Sequence, residues 1–158
     1  MLQKLLLTAM LTASLFGVEI VVNKTQSIPK KPIFMRDSAK KIVTNTRTGL
    51  MWQDDASVKS VEKTWKDAKR YCKNLNFAGY NDWFLPTISQ LESLADTKSY
   101  NPSIQKEFKN TVSNYYWSSS PDVSDSNDAW SVYFKDGSSY NYSHKTTKRY
   151  FRCARTEQ

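Results

Sequence analysis

The chain contains two cysteines, Cys72 and Cys153, and this pair constrains the fold more than any other feature of the sequence. Two cysteines allow one intramolecular pairing, and a bridge between them would close a loop of about 80 residues. On the chain-entropy model, such a loop adds about 4–5 kcal/mol to the free energy of unfolding. Two free thiols or a redox pair are the alternatives, although redox pairs usually occur as Cys-x-x-Cys. In an oxidising compartment, the disulfide would be the expected state of the two cysteines.

The N-terminus predicts such a compartment. Its first four residues form a short basic segment, and residues 5–16 form an apolar run too short to cross about 30 Å of hydrocarbon. We therefore expect a signal peptide over residues 1–17, cleaved near Gly17. No later apolar run approaches the length of a membrane span. The sequence predicts an exported protein, periplasmic, on the cell surface or secreted, in which Cys72 and Cys153 form a structural disulfide.

The charge distribution separates an arm from a folded domain. The formal net charge is +8, and residues 18–47 hold seven basic side chains against two acidic ones. Pro29 and Pro32 flank two lysines, a composition typical of extended chain. Aromatic residues make up 13% of the sequence, more than a disordered chain would carry. We predict a basic extended arm over residues 18–37 and one domain over residues 38–156.

Apolar spacing predicts two main helices. In residues 60–76, four side chains recur at helical spacing: Trp65, Ala68, Cys72 and Leu75. A second helix begins after Thr87, where Gln90 completes a capping box, and ends near Asp96. Pro102 at a first helical position predicts a further short helix over residues 101–108.

The remaining segments alternate with the period of strands. A first strand is expected over residues 41–44, and Trp130, Val132 and Phe134 alternate with polar residues before Asp136 and Gly137. Asp-Gly favours a type I′ turn into a strand over residues 138–143. In a last strand over residues 150–155, Phe151 and Cys153 share a face, so this strand should lie over the first helix. The fold class is α+β, with two main helices on small antiparallel sheets.

Six short motifs occur in order along this domain. They are Thr48-Gly49-Leu50-Met51-Trp52-Gln53, Tyr71-Cys72, Gly79-Tyr80-Asn81-Asp82-Trp83-Phe84-Leu85-Pro86-Thr87, Tyr116-Trp117-Ser118-Ser119-Ser120, Ala129-Trp130 with Asp136-Gly137, and Arg152-Cys153-Ala154-Arg155. With them, residues 38–156 resemble the Lcl C-terminal domain family. The resemblance implies a C-type-lectin-like fold, in which a helix cysteine is bridged to a cysteine of the final strand. It also implies surface adhesion to anionic glycans.

Basic residues form two groups that an acidic polymer could bind. The helical group is Lys59, Lys63, Lys66, Arg70 and Lys73, and the C-terminal group is Lys145, Lys148, Arg149, Arg152 and Arg155. The helical group has 4-3-4-3 spacing, which places it on one face of the predicted helix. We select seven anion-binding candidates: Lys63, Lys66, Arg70, Lys73, Lys148, Arg149 and Arg155. The alternative is a solvated helix face whose charge is moderated by Glu62 and Asp67.

Aromatic residues allow both a structural and a sugar-binding interpretation. Four tryptophans could stack on sugar rings, but their apolar context favours the core: Trp52, Trp83, Trp117 and Trp130. Tyrosines are the better surface candidates because Tyr133 alternates with Trp130 and Val132. We select Tyr133, Tyr140 and Tyr142 as ligand-binding candidates and consider Tyr115 with them. Ordinary cross-strand pairing is the alternative.

Metal and catalytic sites are not predicted. His144 is the single histidine, and neither Cys-x-x-Cys nor His-Glu-x-x-His occurs. Oxygen ligands that suit calcium cluster in one loop: Asp122, Asp125, Asn127 and Asp128. The Glu-Pro-Asn and Trp-Asn-Asp signatures of calcium-dependent sugar-binding lectins are absent. We therefore favour a polar loop and expect no cofactor, metal or catalytic residue.

These observations favour an exported, noncatalytic binding or adhesion module. Its expected partner is an anionic polysaccharide or an acidic surface protein, and nucleic acid does not suit an exported chain. One alternative is an enzyme, because the sulfatase-modifying formylglycine-generating fold is a relative of the lectin-like scaffold. That enzyme uses a cysteine pair in its active site. A structural assembly protein whose arm docks a neighbour is the other alternative.

Overall fold

The computed structural model describes residues 8–15, 18–25 and 33–156, which belong to two compact units. In the first unit, β1 (Thr8–Leu15) and β2 (Val18–Thr25) pair antiparallel, with Leu15 opposite Val18. These strands lie within the segments predicted as signal peptide and arm. Cleavage and export stay predictions, and the proposed cleavage position near Gly17 lies outside the described residues.

The second unit begins with an antiparallel sheet in the order β3-β4-β5-β9. Its strands are β3 (Phe34–Asp37), β4 (Ile42–Asn45), β5 (Leu50–Gln53) and β9 (Ala154–Thr156). The predicted first strand is confirmed as β4. The sheet begins four residues before the expected domain start at residue 38, because Phe34 is buried with its ring centroid 5.9 Å from that of Phe108.

Two helices follow, both shorter than predicted. Helix α1 (Trp65–Lys73) begins after Thr64, whose hydroxyl accepts a hydrogen bond from the Asp67 amide. The predicted start at residue 60 is wrong because the amides of Lys63 and Trp65 donate across to the carbonyls of Arg149 and Lys145. Helix α2 (Ile88–Glu92) has the predicted capping box between Thr87 and Gln90.

The short helix predicted over residues 101–108 is absent from the described fold. Its first amides are bonded elsewhere: Asn101 donates to the carbonyl of Lys135, and Ser103 donates to that of Phe134. The amide of Gln105 donates to the carbonyl of Leu94. These long-range bonds tie the segment to α2 and to the following hairpin, so a run of helical bonds does not form.

The second sheet has the order β6-β7-β8, antiparallel throughout. Its strands are β6 (Tyr115–Pro121), β7 (Asp128–Tyr133) and β8 (Ser138–His144), which confirms the predicted hairpin. The type I′ turn is wrong, because four residues separate the strands and only Gly137 there has a positive φ, of 83°. A Cβ at Gly137 would meet the Ser103 hydroxyl oxygen at 2.9 Å, so this turn requires glycine.

The alternation predicted for β7 holds in part. Val132 and Phe134 are buried as expected, but Trp130 is only partly buried, while Ala129 and Ser131 are wholly buried. The cause is a register shift against β8 between Ala129 and Ser131. A bulge of this kind turns side chains away from the face that simple alternation would give them.

The predicted disulfide is present. Cys72 of α1 and Cys153, directly before β9, are joined with their Cα atoms 5.4 Å apart, and both are wholly buried. The predicted strand over residues 150–155 is wrong in its start, because only Ala154–Thr156 form β9. Phe151, Ala68 and Cys153 belong to one buried cluster, so this segment does lie over α1 as predicted. A second cluster includes residues of both sheets and of α2, with Trp52, Leu91 and Val132 among its members. The unit is α+β.

None of the helices in the described part of the chain is long and apolar enough to span a membrane.

Candidate functional site

Four tyrosine rings contact one another on the second sheet. Tyr115 and Tyr133 are opposite one another on β6 and β7, and their rings stack with centroids 4.4 Å apart. The ring of Tyr140 meets Tyr115 edge-on at 5.5 Å and Tyr142 at 5.4 Å. Tyr142 is 65% exposed and the other three are partly exposed. We call these four residues the tyrosine face, and it includes all three of the predicted tyrosines.

Arg149 covers one end of the tyrosine face. Its guanidinium carbon lies 4.3 Å from the ring centroid of Tyr115 and 5.3 Å from that of Trp117. The Nε atom is buried without a hydrogen-bond partner. Within residues 33–156, Arg149 forms no ion pair with an acidic side chain. A cation that has lost water without gaining a carboxylate is poorly compensated, so an external anion would stabilise it.

Burial shifts two pKa values at this end of the site. Desolvation lowers the pKa of Arg149, against the opposing effect of Tyr115 and Glu62. Desolvation also raises the pKa of Tyr115, and the neighbouring hydroxyls of Tyr140 and Tyr142 raise it further. At neutral pH Tyr115 therefore keeps its proton, and its hydroxyl is available as a hydrogen-bond donor.

The backbone fixes Arg149 beside Lys63. Each of these residues donates its amide to the carbonyl of the other at 3.0 Å, which joins the segment before α1 to the C-terminal segment. The indole Nε1 of Trp117 also donates to the Lys63 carbonyl at 3.0 Å. Lys63 is thus brought next to Arg149, although 86 positions separate them in the sequence.

The predicted basic helix face is smaller than expected. Lys66, Arg70 and Lys73 lie on α1 and are exposed, whereas Lys59 and Lys63 precede the helix. A groove of about 380 Å³ brings Lys63 and Arg70 together with the ring of Tyr71. Arg70 pairs with Asp67 at 2.7 Å, but both side chains are solvent-exposed, so the pair is screened by water and salt.

One cationic arrangement was not predicted. The ammonium groups of Lys69 and Lys145 lie 4.3 and 4.9 Å from the ring centroid of Trp65. The Trp65 indole donates to the carbonyl of Ser118 at 2.8 Å, which fixes its ring between α1 and β6. The i,i+4 spacing of Trp65 and Lys69 could have indicated the first of these contacts. The contact with Lys145 depends on tertiary structure.

Two of the C-terminal arginines are not surface cations. Arg155 is only 5% exposed; its Nε and Nη2 donate to the Asp82 carboxylate at 2.7 and 3.1 Å, and its guanidinium lies 3.8 Å from the Tyr80 ring centroid. Arg152 is wholly buried and paired with Asp54. The selection of Arg155 as a ligand-binding residue is therefore not supported by its position. Lys148, in contrast, is exposed.

The tryptophans and the acidic loop have structural contacts. Trp52, Trp83 and Trp117 are buried, which leaves their rings unavailable for stacking on a sugar. In the loop, the Asp122 carboxylate accepts from the amide and hydroxyl of Ser124, and these bonds lower the pKa of Asp122. Asp125 accepts from the Asn127 amide. Across the described ranges, no three His, Cys, Asp or Glu residues are grouped to hold a metal ion.

Comparison with known proteins gives one match. No curated protein and no solved structure matches the chain. The sequence profile of the Lcl C-terminal domain matches residues 41–155, about three quarters of the chain and nearly all of the second unit. This match covers both cysteines, the tyrosine face and the cations of α1. The chain belongs to the Lcl C-terminal domain family.

Proposed function

We propose that this protein is a noncatalytic binding or adhesion module that recognises an anionic polysaccharide. The observation that carries the proposal is Arg149, a partly buried guanidinium that lies on the tyrosine face and forms no ion pair with an acidic side chain in residues 33–156. Tyrosine rings provide flat surfaces for sugar rings and hydroxyls for hydrogen bonds. A sulfate or carboxylate on the sugar would supply the missing negative charge.

The surrounding cations support a polymer rather than a single small anion. Lys63 is bonded through its backbone to Arg149, and it shares a groove with Arg70 of α1. Lys66 and Lys73 extend the positive charge along the helix, and exposed Lys148 lies next to Arg149 in the sequence. A chain of anionic sugars could contact the tyrosine face and these side chains in succession, with each exposed contact contributing little alone.

The proposed scaffold is C-type-lectin-like and the proposed location is outside the cytoplasm. The disulfide between a helix cysteine and a cysteine beside the last strand supports the first proposal. It also supports the second, because structural disulfides persist mainly in oxidising compartments. The alternative of a sulfatase-modifying enzyme would use both cysteines in its chemistry. Here they are bonded to each other and wholly buried, which favours the binding module.

Titration calorimetry with dextran sulfate, polygalacturonate and uncharged dextran tests the proposal. We expect saturable binding of at least one anionic polymer, no binding of dextran, and at least tenfold weaker binding for Arg149→Gln. Arg47→Gln is the matched control, because it removes the same charge from an exposed position between β4 and β5. Both variants should keep the parent circular dichroism spectrum. Equal affinities of the parent and Arg149→Gln, or equal binding of dextran, would contradict the proposal.

A further inference from the structure

A second groove also has Arg70 in its lining. It has a volume of about 520 Å³, and three cations of α1 line it: Lys69, Arg70 and Lys73. Its remaining surface comes from residues 83–85 and from Ser119 of β6. Neither Arg149 nor any member of the tyrosine face lines it. The volume falls within the range of pockets that hold small molecules.

The groove lies where the two sheets are joined. Phe84 exchanges both backbone hydrogen bonds with Ala154 of β9 at 2.8 Å, and Ser119 of β6 donates its amide to the Pro86 carbonyl at 2.7 Å. Helix α1 is held beside them through the disulfide of Cys72. The groove is therefore built on paired backbone and is positioned before any ligand arrives.

The floor of the groove offers apolar contact. The Trp83 indole already donates to the carbonyls of Phe77 and Tyr80, and the Phe84 amide and carbonyl are both used by Ala154. Leu85 adds an aliphatic side chain. Because these backbone and indole groups are satisfied within the protein, the floor would contribute mainly apolar area to a bound molecule.

The rim of the groove offers positive charge. Lys69 is directed to the ring of Trp65 at 4.3 Å, while Arg70 keeps Asp67 on one side at 2.7 Å. Lys73, one turn after Lys69 on α1, is exposed. Of the three cations that line the groove, only Arg70 has an acidic partner in the described residues, so the rim carries a net positive charge over an apolar floor. A ligand that complements both needs a negative group attached to an apolar body.

We propose that this groove binds a small amphiphilic anion, with its carboxylate, sulfate or phosphate at the α1 cations and its aliphatic or aromatic part on the apolar floor, where Phe84 is the partly exposed side chain. The groove shares Arg70 and Lys73 with the surface proposed for the polymer, but it includes neither Arg149 nor the tyrosine face, so the two proposals are tested separately. The apolar floor distinguishes it from a purely ionic surface, because a hydrophilic anion would gain nothing from that floor.

Three probes separate the two contributions. Octanesulfonate carries charge and an aliphatic body, methanesulfonate carries the charge alone, and octanol carries the body alone. We expect octanesulfonate, below its micelle concentration, to shift backbone amide resonances of residues 69–73, 83–85 and 119 in a saturable way. Methanesulfonate and octanol should each bind at least tenfold more weakly.

Two variants test the location. Ser119→Leu should fill the groove and weaken octanesulfonate binding at least tenfold, because Ser119 is part of the groove lining. Lys69→Gln with Lys73→Gln should weaken it at least threefold. Lys66→Gln, on α1 but outside the groove, should leave it unchanged. Unchanged melting temperatures would show that each variant folds.

Three outcomes would overturn the inference: equal binding of methanesulfonate, shifts spread over the whole domain, or full octanesulfonate binding by folded Ser119→Leu. The two proposals fail separately. Ser119→Leu should retain its affinity for dextran sulfate, and Arg149→Gln should retain its affinity for octanesulfonate.

Discussion

Nη1 of Arg152 donates a 2.7 Å hydrogen bond to Oδ1 of Asp54, and both side chains are wholly buried. Asp54 also pairs with Arg36 and accepts the amides of Lys109 and Asn110 at 2.9 and 3.1 Å. Through this one carboxylate, β3, the end of β5, the loop before β6 and the C-terminal segment are held together. Its negative charge compensates two guanidinium groups in the interior.

Replacing Asp54 with asparagine should therefore destabilise the protein strongly. The variant leaves buried Arg152 without its counter-charge, and loss of one member of a buried pair costs about 3–5 kcal/mol. Urea denaturation would measure the loss. Asp136→Asn is the control, because that exposed side chain can still accept the Ser138 amide after the change. A loss below about 1 kcal/mol for Asp54→Asn would show that the pair is not a structural centre.

The same carboxylate predicts a pH dependence. Burial alone would raise the pKa of Asp54, but the charge of Arg152 and the hydrogen bonds from Arg152, Lys109 and Arg36 leave it below the usual value of 3.8. A carboxyl whose pKa is lower in the folded state than in the unfolded state stabilises the fold at pH values above the unfolded pKa, which is about 3.9 for Asp. This stabilisation is lost as the pH falls to the pKa of the folded state. We expect stability to decline below about pH 4, and less steeply in Asp54→Asn. Parallel urea titrations between pH 2 and 6 would measure both slopes, and identical slopes would argue against Asp54 as the titrating group.

Local patterns predicted the elements whose bonds are local. The Thr87–Gln90 capping box and the burial of both Val132 and Phe134 depend on neighbours within a few positions. The pairing of Arg152 with Asp54 spans 98 positions and that of Arg155 with Asp82 spans 73. No spacing rule connects residues so far apart, so both arginines resembled surface charges in the sequence.

The candidate site was predictable to the same extent. Alternation in the predicted hairpin indicated that Tyr133 would leave the core, and Tyr133 does contribute to the tyrosine face. The position of Arg149 over Tyr115 depends on the backbone bridge to Lys63, which only the closed fold provides. The register shift in β7 likewise moved Trp130 out of its expected position, because bulges have no reliable local pattern.

Removing the disulfide should lower stability without abolishing secondary structure. The double variant Cys72→Ala and Cys153→Ala loses a link across 81 positions, and native disulfides of small exported domains contribute about 2–5 kcal/mol. Melting temperature by calorimetry would measure the change. Dithiothreitol should lower the melting temperature of the parent and leave that of the double variant unaffected. A parent that melts at the same temperature with and without reductant would contradict the prediction.

Arg155 should affect stability and leave binding unchanged. Arg155→Gln removes two hydrogen bonds to the Asp82 carboxylate and the packing of the guanidinium on Tyr80. The hydrogen bonds also lower the pKa of Asp82. The loss of these bonds and of the packing on Tyr80 should lower the melting temperature by several degrees. Lys148→Gln is the control, because it removes a charge from an exposed side chain of the same C-terminal group, and it should change the free energy of unfolding by less than about 1 kcal/mol. If folded Arg155→Gln lost affinity for dextran sulfate while Lys148→Gln kept it, Arg155 would be a ligand contact after all.

Binding of an anionic polymer should be governed by charge. Three exposed cations of α1, Lys66, Arg70 and Lys73, act on a ligand through solvent, where the screening length is about 8 Å at physiological ionic strength. Replacing all three with glutamine should weaken dextran sulfate binding several-fold and hardly change the melting temperature, because exposed charges contribute about 0–1 kcal/mol to stability. Calorimetric titrations at 50, 150 and 500 mM NaCl should show affinity falling steeply for the parent and less steeply for the triple variant, since fewer charged contacts remain to be screened. An affinity that persists at 500 mM NaCl, extends to uncharged dextran and survives the triple substitution would instead assign the interaction to the rings of the tyrosine face.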